Sequence, residues 1–162
     1  MASVSRWISI VFVVSAFAAC DQPPEEAVTP SGSAAAVAQV DTDRIKAAAS
    51  EPEMWLTYGG GYDEQRHSAL GQINRDTLPE LGVGWVYEMA KPRGAEATPI
   101  VVDGVMYVSS AWSVVYALDA KTGEELWVYD PKVSGADAAK GCCDVVNRGV
   151  AVHDGKVFIG VF

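Results

Sequence analysis

Basic side chains are scarce: 12 lysines and arginines stand against 21 acidic residues, leaving a net charge of −9. No basic stripe, zinc-finger spacing or aromatic-plus-basic surface offsets that balance, which excludes nucleic acid as a partner. The acidity reads as solubility. Histidine is scarcer still. His67 and His153 each lack cysteine, histidine or clustered carboxylate at ligand spacing, so both read as surface or packing residues rather than metal ligands. Long apolar runs are missing too: the run Ile8–Phe17 is about ten residues, where a membrane-spanning helix needs about 20. Following Arg6 and preceding small residues, that run makes residues 1–19 a secretory signal. Cysteine is limited to Cys20, Cys142 and Cys143, and no Cys-x-x-Cys-His occurs, so no haem attaches within this stretch.

The signal can be cut in two ways. Phe17-Ala18-Ala19-Cys20 resembles a bacterial lipobox with Phe17 in place of leucine, and Ala16-Phe17-Ala18 fits ordinary small-x-small cleavage. Lipidation of Cys20 is favoured because it accounts for the odd cysteine; it places the chain in the periplasm, anchored to a membrane and in an oxidising compartment. From Asp21 to Gln39 the sequence has almost nothing large to bury and reads as flexible spacer. A short helix over Asp43–Ala49, capped by Asp41 or Thr42 and stopped by Pro52, extends the spacer region to 20–52. Residues 53–162 form the folded domain.

Within it, Trp55, Leu56 and Tyr58 lead into Gly59-Gly60-Gly61. A helical piece is expected around Thr77–Leu81 with Asn74 or Asp76 as cap, and Val83–Glu88 alternates as a strand. From there on only strands and turns are expected. Pro99–Val108 is a hairpin around Asp103-Gly104, and fifty-one residues later Val150–Ile159 repeats it around Asp154-Gly155. Between them Val114–Leu118 and Glu125–Tyr129 make two more strands, separated by the spacing Ala117-x-Asp119-x-x-Thr122-Gly123-x-x-x-Trp127. Alanine leaves room, glycine allows the turn and tryptophan can lie flat across the next unit. A period near 50 with four short strands per unit makes the fold all-β, a partial β-propeller of about two blades.

Directly before the second hairpin lies GCCDVVNRGVA, residues 141–151. Neighbouring α-carbons sit near 3.8 Å apart across a trans peptide, less than a disulfide ordinarily spans, so joining Cys142 to Cys143 closes a small strained ring. Such a ring would offer a flat, hard face to a planar cofactor; the alternative is two ordinary thiols.

The stretches WLTYGGGYDEQRHSALGQIN, EATPIVVDGVMYV, WSVVYALDAKTGEELWVYDPK and GCCDVVNRGVAV together resemble the N-terminal part of the quinoprotein alcohol dehydrogenases, exported enzymes that use pyrroloquinoline quinone (PQQ). The resemblance implies an eight-bladed propeller in which the AxDxxTGxxxW stretch is the tryptophan-docking motif. It implies that Cys142 and Cys143 form a disulfide ring against one face of PQQ, that Arg148 reaches the cofactor's oxygens, and that Glu96 contacts the cofactor. Trp85, Trp112 and Trp127 read as packing. The calcium or lanthanide ligands and the aspartate base are expected beyond residue 162, so no catalytic or metal residue is assigned here and the chain alone is expected to be inactive. The implied reaction is oxidation of an alcohol to an aldehyde, with a cytochrome c or other acceptor taking the electrons. The competing reading is a non-catalytic propeller lipoprotein serving as a protein-binding scaffold, which would have no need of Cys142, Cys143 and Arg148 together.

Overall fold

A computed structural model describes residues 38–91 and 93–161; the signal, Cys20 and most of the spacer lie outside the described residues. Strands β1 (Ile100–Val102) and β2 (Val105–Ser109) pair antiparallel with Val102 opposite Val105. Such a two-residue connection needs positive φ at both central positions, and Asp103 (51°) and Gly104 (80°) supply it. Strands β3 (Val115–Asp119) and β4 (Glu125–Tyr129) complete a four-stranded antiparallel sheet in the order β1-β2-β3-β4. Strands β5 (Ala151–His153) and β6 (Lys156–Phe158) form a second hairpin through Asp154 (45°) and Gly155 (66°). The repeat in the sequence is therefore a repeat in space: one whole blade of a partial propeller and the hairpin of the next.

The β3–β4 turn shows what its residues are for. Asp119 Oδ1 accepts from the backbone N–H of Lys121 (2.9 Å) and Thr122 (2.8 Å) and from the Thr122 hydroxyl (3.0 Å). These donors, the Thr122 amide first, hold the Asp119 carboxyl below the usual carboxylate range. Gly123 takes φ +74° and lies under the Trp85 ring, whose Nε1 donates to the Ala120 carbonyl at 3.3 Å. Trp127 stands opposite the fully buried Ala117, its ring 5.9 Å from that of Tyr107. It lines a slot of about 360 Å3 shared with Val157, Phe158 and Ile159 of the second hairpin.

Three expectations need correction. Val83–Glu88 is extended but pairs with no strand among the described residues. Its alternation is satisfied by packing instead: Trp85 and Tyr87 rest on the cluster of Val108, Val114, Tyr116 and Leu118, and Tyr87 donates to the Glu125 carboxylate, while Val83 and Val86 are 82% and 84% exposed. The region past Val83 is not strands and turns alone, because Ser134 caps a one-turn helix α2 (Gly135–Ala138) by accepting from Asp137 N at 3.1 Å. Finally, residues 38–52 are packed rather than flexible. Asp41 caps helix α1 (Thr42–Lys46), and Val40 (1% exposed) and Ile45 enter the core with Leu56, Ile100, Val102, Tyr107 and Val152. Ala38, Val40 and Ile45 are the buried apolar side chains of this stretch, and the composition of the preceding spacer obscures them. The Thr77–Leu81 piece is a single 3₁₀ turn, Leu78–Glu80, after Asn74 Oδ1 accepts from Asp76 N and Thr77 N.

This N-terminal segment ties both hairpins together. The Val40 carbonyl accepts from Asp154 N at 2.8 Å, and the Arg44 guanidinium forks onto Asp103 (2.6 and 2.9 Å) and Glu51 (2.7 Å). Hydrogen bonds from Arg44 hold both carboxyls below their ordinary values. Because the folded values are depressed, the stabilisation is present above the unfolded carboxylate range near 4 and is lost as pH falls through the depressed values. Both carboxylates are partly exposed, so the contribution is about 1 kcal/mol after solvent screening. Arg44→Met is expected to lower stability by about that much at pH 7 and by less at pH 2, where the carboxylates take up protons and the bond to the Gln39 carbonyl is what remains to be lost. Urea unfolding at the two pH values checks this; an equal loss at both would show that the charges are not responsible.

Candidate cofactor site

The loop 141–149 is laid over the turn Ala111–Ser113, itself strained: Trp112 (φ 64°) and Ser113 (φ 55°) are left-handed without being glycine. Trp112 N–H donates to the Val145 carbonyl at 2.8 Å, which fixes the loop's middle. Cys143 (φ 72°) and Asp144 (φ 67°) continue left-handed, and Arg93 holds Asp144 through a 2.7 Å ion pair. Gly149 (φ +133°) crosses above Thr98, where a Cβ would meet the Thr98 carbonyl at 3.3 Å. Glycine there lets the cysteine loop run close beside the Glu96-Ala97-Thr98-Pro99 segment.

That approach brings the four predicted cofactor residues together. Arg148 Nε lies 3.5 Å from Glu96 Oε2, with side chains 75% and 47% exposed. The Cys142 and Cys143 sulfurs are exposed and 2.8 Å apart. The Cys143 thiol is pushed above its ordinary value first by its hydrogen bond to Cys142 and then by that neighbour's charge; Arg148 draws it down and Glu96 raises it, which places both within electrostatic reach of the sulfurs. Sequence reasoning missed Asn147, Ser109, Ser113 and Arg93, which support this face from beneath and beside. Asn147 alone carried a signal, standing within the motif next to Arg148.

A planar quinone bearing carboxylates needs a flat contact and a fixed cation at its rim, and this donor set fits. Two adjacent exposed sulfurs supply the contact, and an exposed guanidinium matches carboxylate geometry. Among the described residues no group of three or more His, Cys, Asp or Glu is arranged to hold a metal ion. His67 lies elsewhere, lining a cavity of about 190 Å3 with Met54 and Trp55.

Residues 55–158 match the family described as PQQ, glucose/ethanol/alcohol dehydrogenase, beta-propeller domain. The chain belongs to this family. The quinohemoprotein alcohol dehydrogenase of Comamonas testosteroni is 52% identical to this PQQ-family chain over 129 residues, covering 80% of it and 18% of that protein. The crystal structure of the Comamonas testosteroni enzyme superposes with a TM-score of 0.74, over 80% of this chain and 19% of that one. The 1-butanol dehydrogenase (cytochrome c) of Thauera butanivorans is 57% identical over 108 residues, 65% of this chain and 15% of that protein. A europium-containing methanol dehydrogenase matches with a TM-score of 0.68 at 37% identity, over 74% of this chain and 21% of that one. This PQQ-family chain thus spans less than a quarter of the length of these relatives.

Proposed function

We propose that the chain is the N-terminal part of an exported, PQQ-dependent alcohol dehydrogenase that converts alcohols to aldehydes and passes electrons to a cytochrome. The observation that carries this reading is the convergence of Cys142, Cys143, Arg148 and Glu96 on one exposed face. When bound, PQQ with a calcium or lanthanide ion supplies the electron-accepting chemistry. The residues of this chain form one wall of its seat. In an oxidising compartment the two sulfurs close to a disulfide whose ring supports one face of the quinone. Arg148 orients the cofactor through charge-assisted hydrogen bonds to its oxygens, and Glu96 accepts from the cofactor's rim. Names of relatives such as quinohemoprotein alcohol dehydrogenase and 1-butanol dehydrogenase (cytochrome c) support alcohol as the substrate class and a cytochrome as acceptor. Europium in a methanol dehydrogenase that matches supports a lanthanide as one option for the cation. Export by residues 1–19 and a lipid on Cys20 would place the enzyme in the periplasm at a membrane.

The test is dye-linked alcohol oxidation. The full-length enzyme should need added PQQ and a divalent or trivalent cation, while the 162-residue chain should stay inactive under the same conditions. Alcohol oxidation by the full-length protein without PQQ, or by this chain alone, would overturn the reading.

A further inference from the structure

We infer that Asn147 is the positioning residue of the cofactor seat, the group that fixes where Arg148 points. This rests on the reading of the Cys142–Arg148 face as a PQQ site and adds to it a residue that need not touch the cofactor.

The carboxamide of Asn147 has two acceptor sites and two donors, and all four are used. Its Oδ1 accepts from the Ser109 hydroxyl at 2.7 Å and from Gly149 N at 3.1 Å. Its Nδ2 donates to the Ser113 hydroxyl at 3.1 Å and to the Gly160 carbonyl at 3.0 Å. Ser109 and Ser113 are 0% and 1% exposed, so water cannot replace the amide at either hydroxyl. One half-buried side chain thereby joins the end of β2, the strained 111–113 turn, its own loop and the residue two beyond β6.

Arg148, by contrast, is poorly held by its own side chain. It is 75% exposed and its ion pair with Glu96, at 3.5 Å, is long for a charge-assisted bond. Its direction is therefore set by the backbone it leaves from, and that backbone is pinned on both sides: by the Val145 carbonyl under Trp112 N, and by Asn147 with Gly149 N. A long cation aimed at a rigid planar ligand gains affinity from being held in place before binding. Loss of the Asn147 amide should release it.

The experiment titrates the full-length apoenzyme with PQQ in calcium-containing buffer and reads the dissociation constant, with apo unfolding midpoints measured in parallel. Asn147→Ala should weaken PQQ binding about tenfold or more. Asn147→Asp, which keeps both acceptor bonds and loses both donors, should show a smaller loss in the same direction and carries the test if the alanine variant fails to fold. Val102→Ala, a fully buried change remote from the loop, should lower the midpoint while leaving the constant within about twofold of the parent. Should both Asn147 variants bind PQQ within about twofold of the parent while Arg148→Ala binds weakly, the positioning role falls and the seat stands. Should Arg148→Ala also bind like the parent, the reading of the face as a seat fails with it.

Discussion

Arg148→Ala should weaken PQQ binding by the full-length apoenzyme by about 1.5–3 kcal/mol, or roughly tenfold to a hundredfold, with little change in the unfolding midpoint. The two parts of that expectation come from different observations. A hydrogen bond to a charged ligand group is worth more than a neutral one, and a carboxylate-bearing quinone offers several acceptors to one guanidinium. Stability is spared because the side chain is 75% exposed and its one ion pair among the described residues is the 3.5 Å contact to Glu96, a type of pair worth at most about 1 kcal/mol. Arg148→Lys should recover only part of the affinity, since an ammonium keeps the charge and loses the planar fork. Fluorescence titration with PQQ measures the constants. Equal binding by parent and alanine variant would remove Arg148 from the site.

Gly123→Ala should destabilise the fold by about 2–4 kcal/mol. The backbone at Gly123 has φ +74°, where an L-residue is strained, and the added carbon would sit 2.5 Å from Cε3 of Trp85. The indole cannot easily retreat, because its Nε1 is bonded to the Ala120 carbonyl and its ring belongs to the packed cluster on β2 and β3. Trp85→Ala alone should also be costly. The double variant should cost less than the sum, since removing the ring removes the clash and leaves only the backbone strain. Denaturant unfolding of the four proteins gives the coupling energy; full additivity would show that the ring and the turn do not meet as described.

The sequence disclosed the parts of this molecule that are local. Asp-Gly at 103–104 and 154–155 dictates a tight hairpin by its own φ preferences, and both hairpins formed with the expected residues at the bend. The AxDxxTGxxxW turn was legible for the same reason: the bonds that Asp119 accepts from Lys121, Thr122 and Gly123 span no more than four residues. What required distant partners was not legible. Trp85 read as general packing, yet it covers Gly123, thirty-eight residues away. Val83–Glu88 has the alternation of a strand, but alternation specifies two faces and says nothing about which backbone is available to pair. Val40 and Ile45 were hidden by the polar, proline-rich residues before them, though both are buried in the core. At the site, the cysteines, Arg148 and Glu96 could be named because the motif carries them. Asn147 could be seen but not given a role, since its worth lies in Ser109, Ser113 and Gly160, whose proximity only folding creates.

The most direct measurement is a crystal structure of the full-length protein with PQQ bound. The account predicts the quinone plane resting on a Cys142–Cys143 ring, with Arg148 at its edge and Glu96 beside it. A quinone seated elsewhere, with Arg148 turned to solvent and the two sulfurs bare, would contradict it.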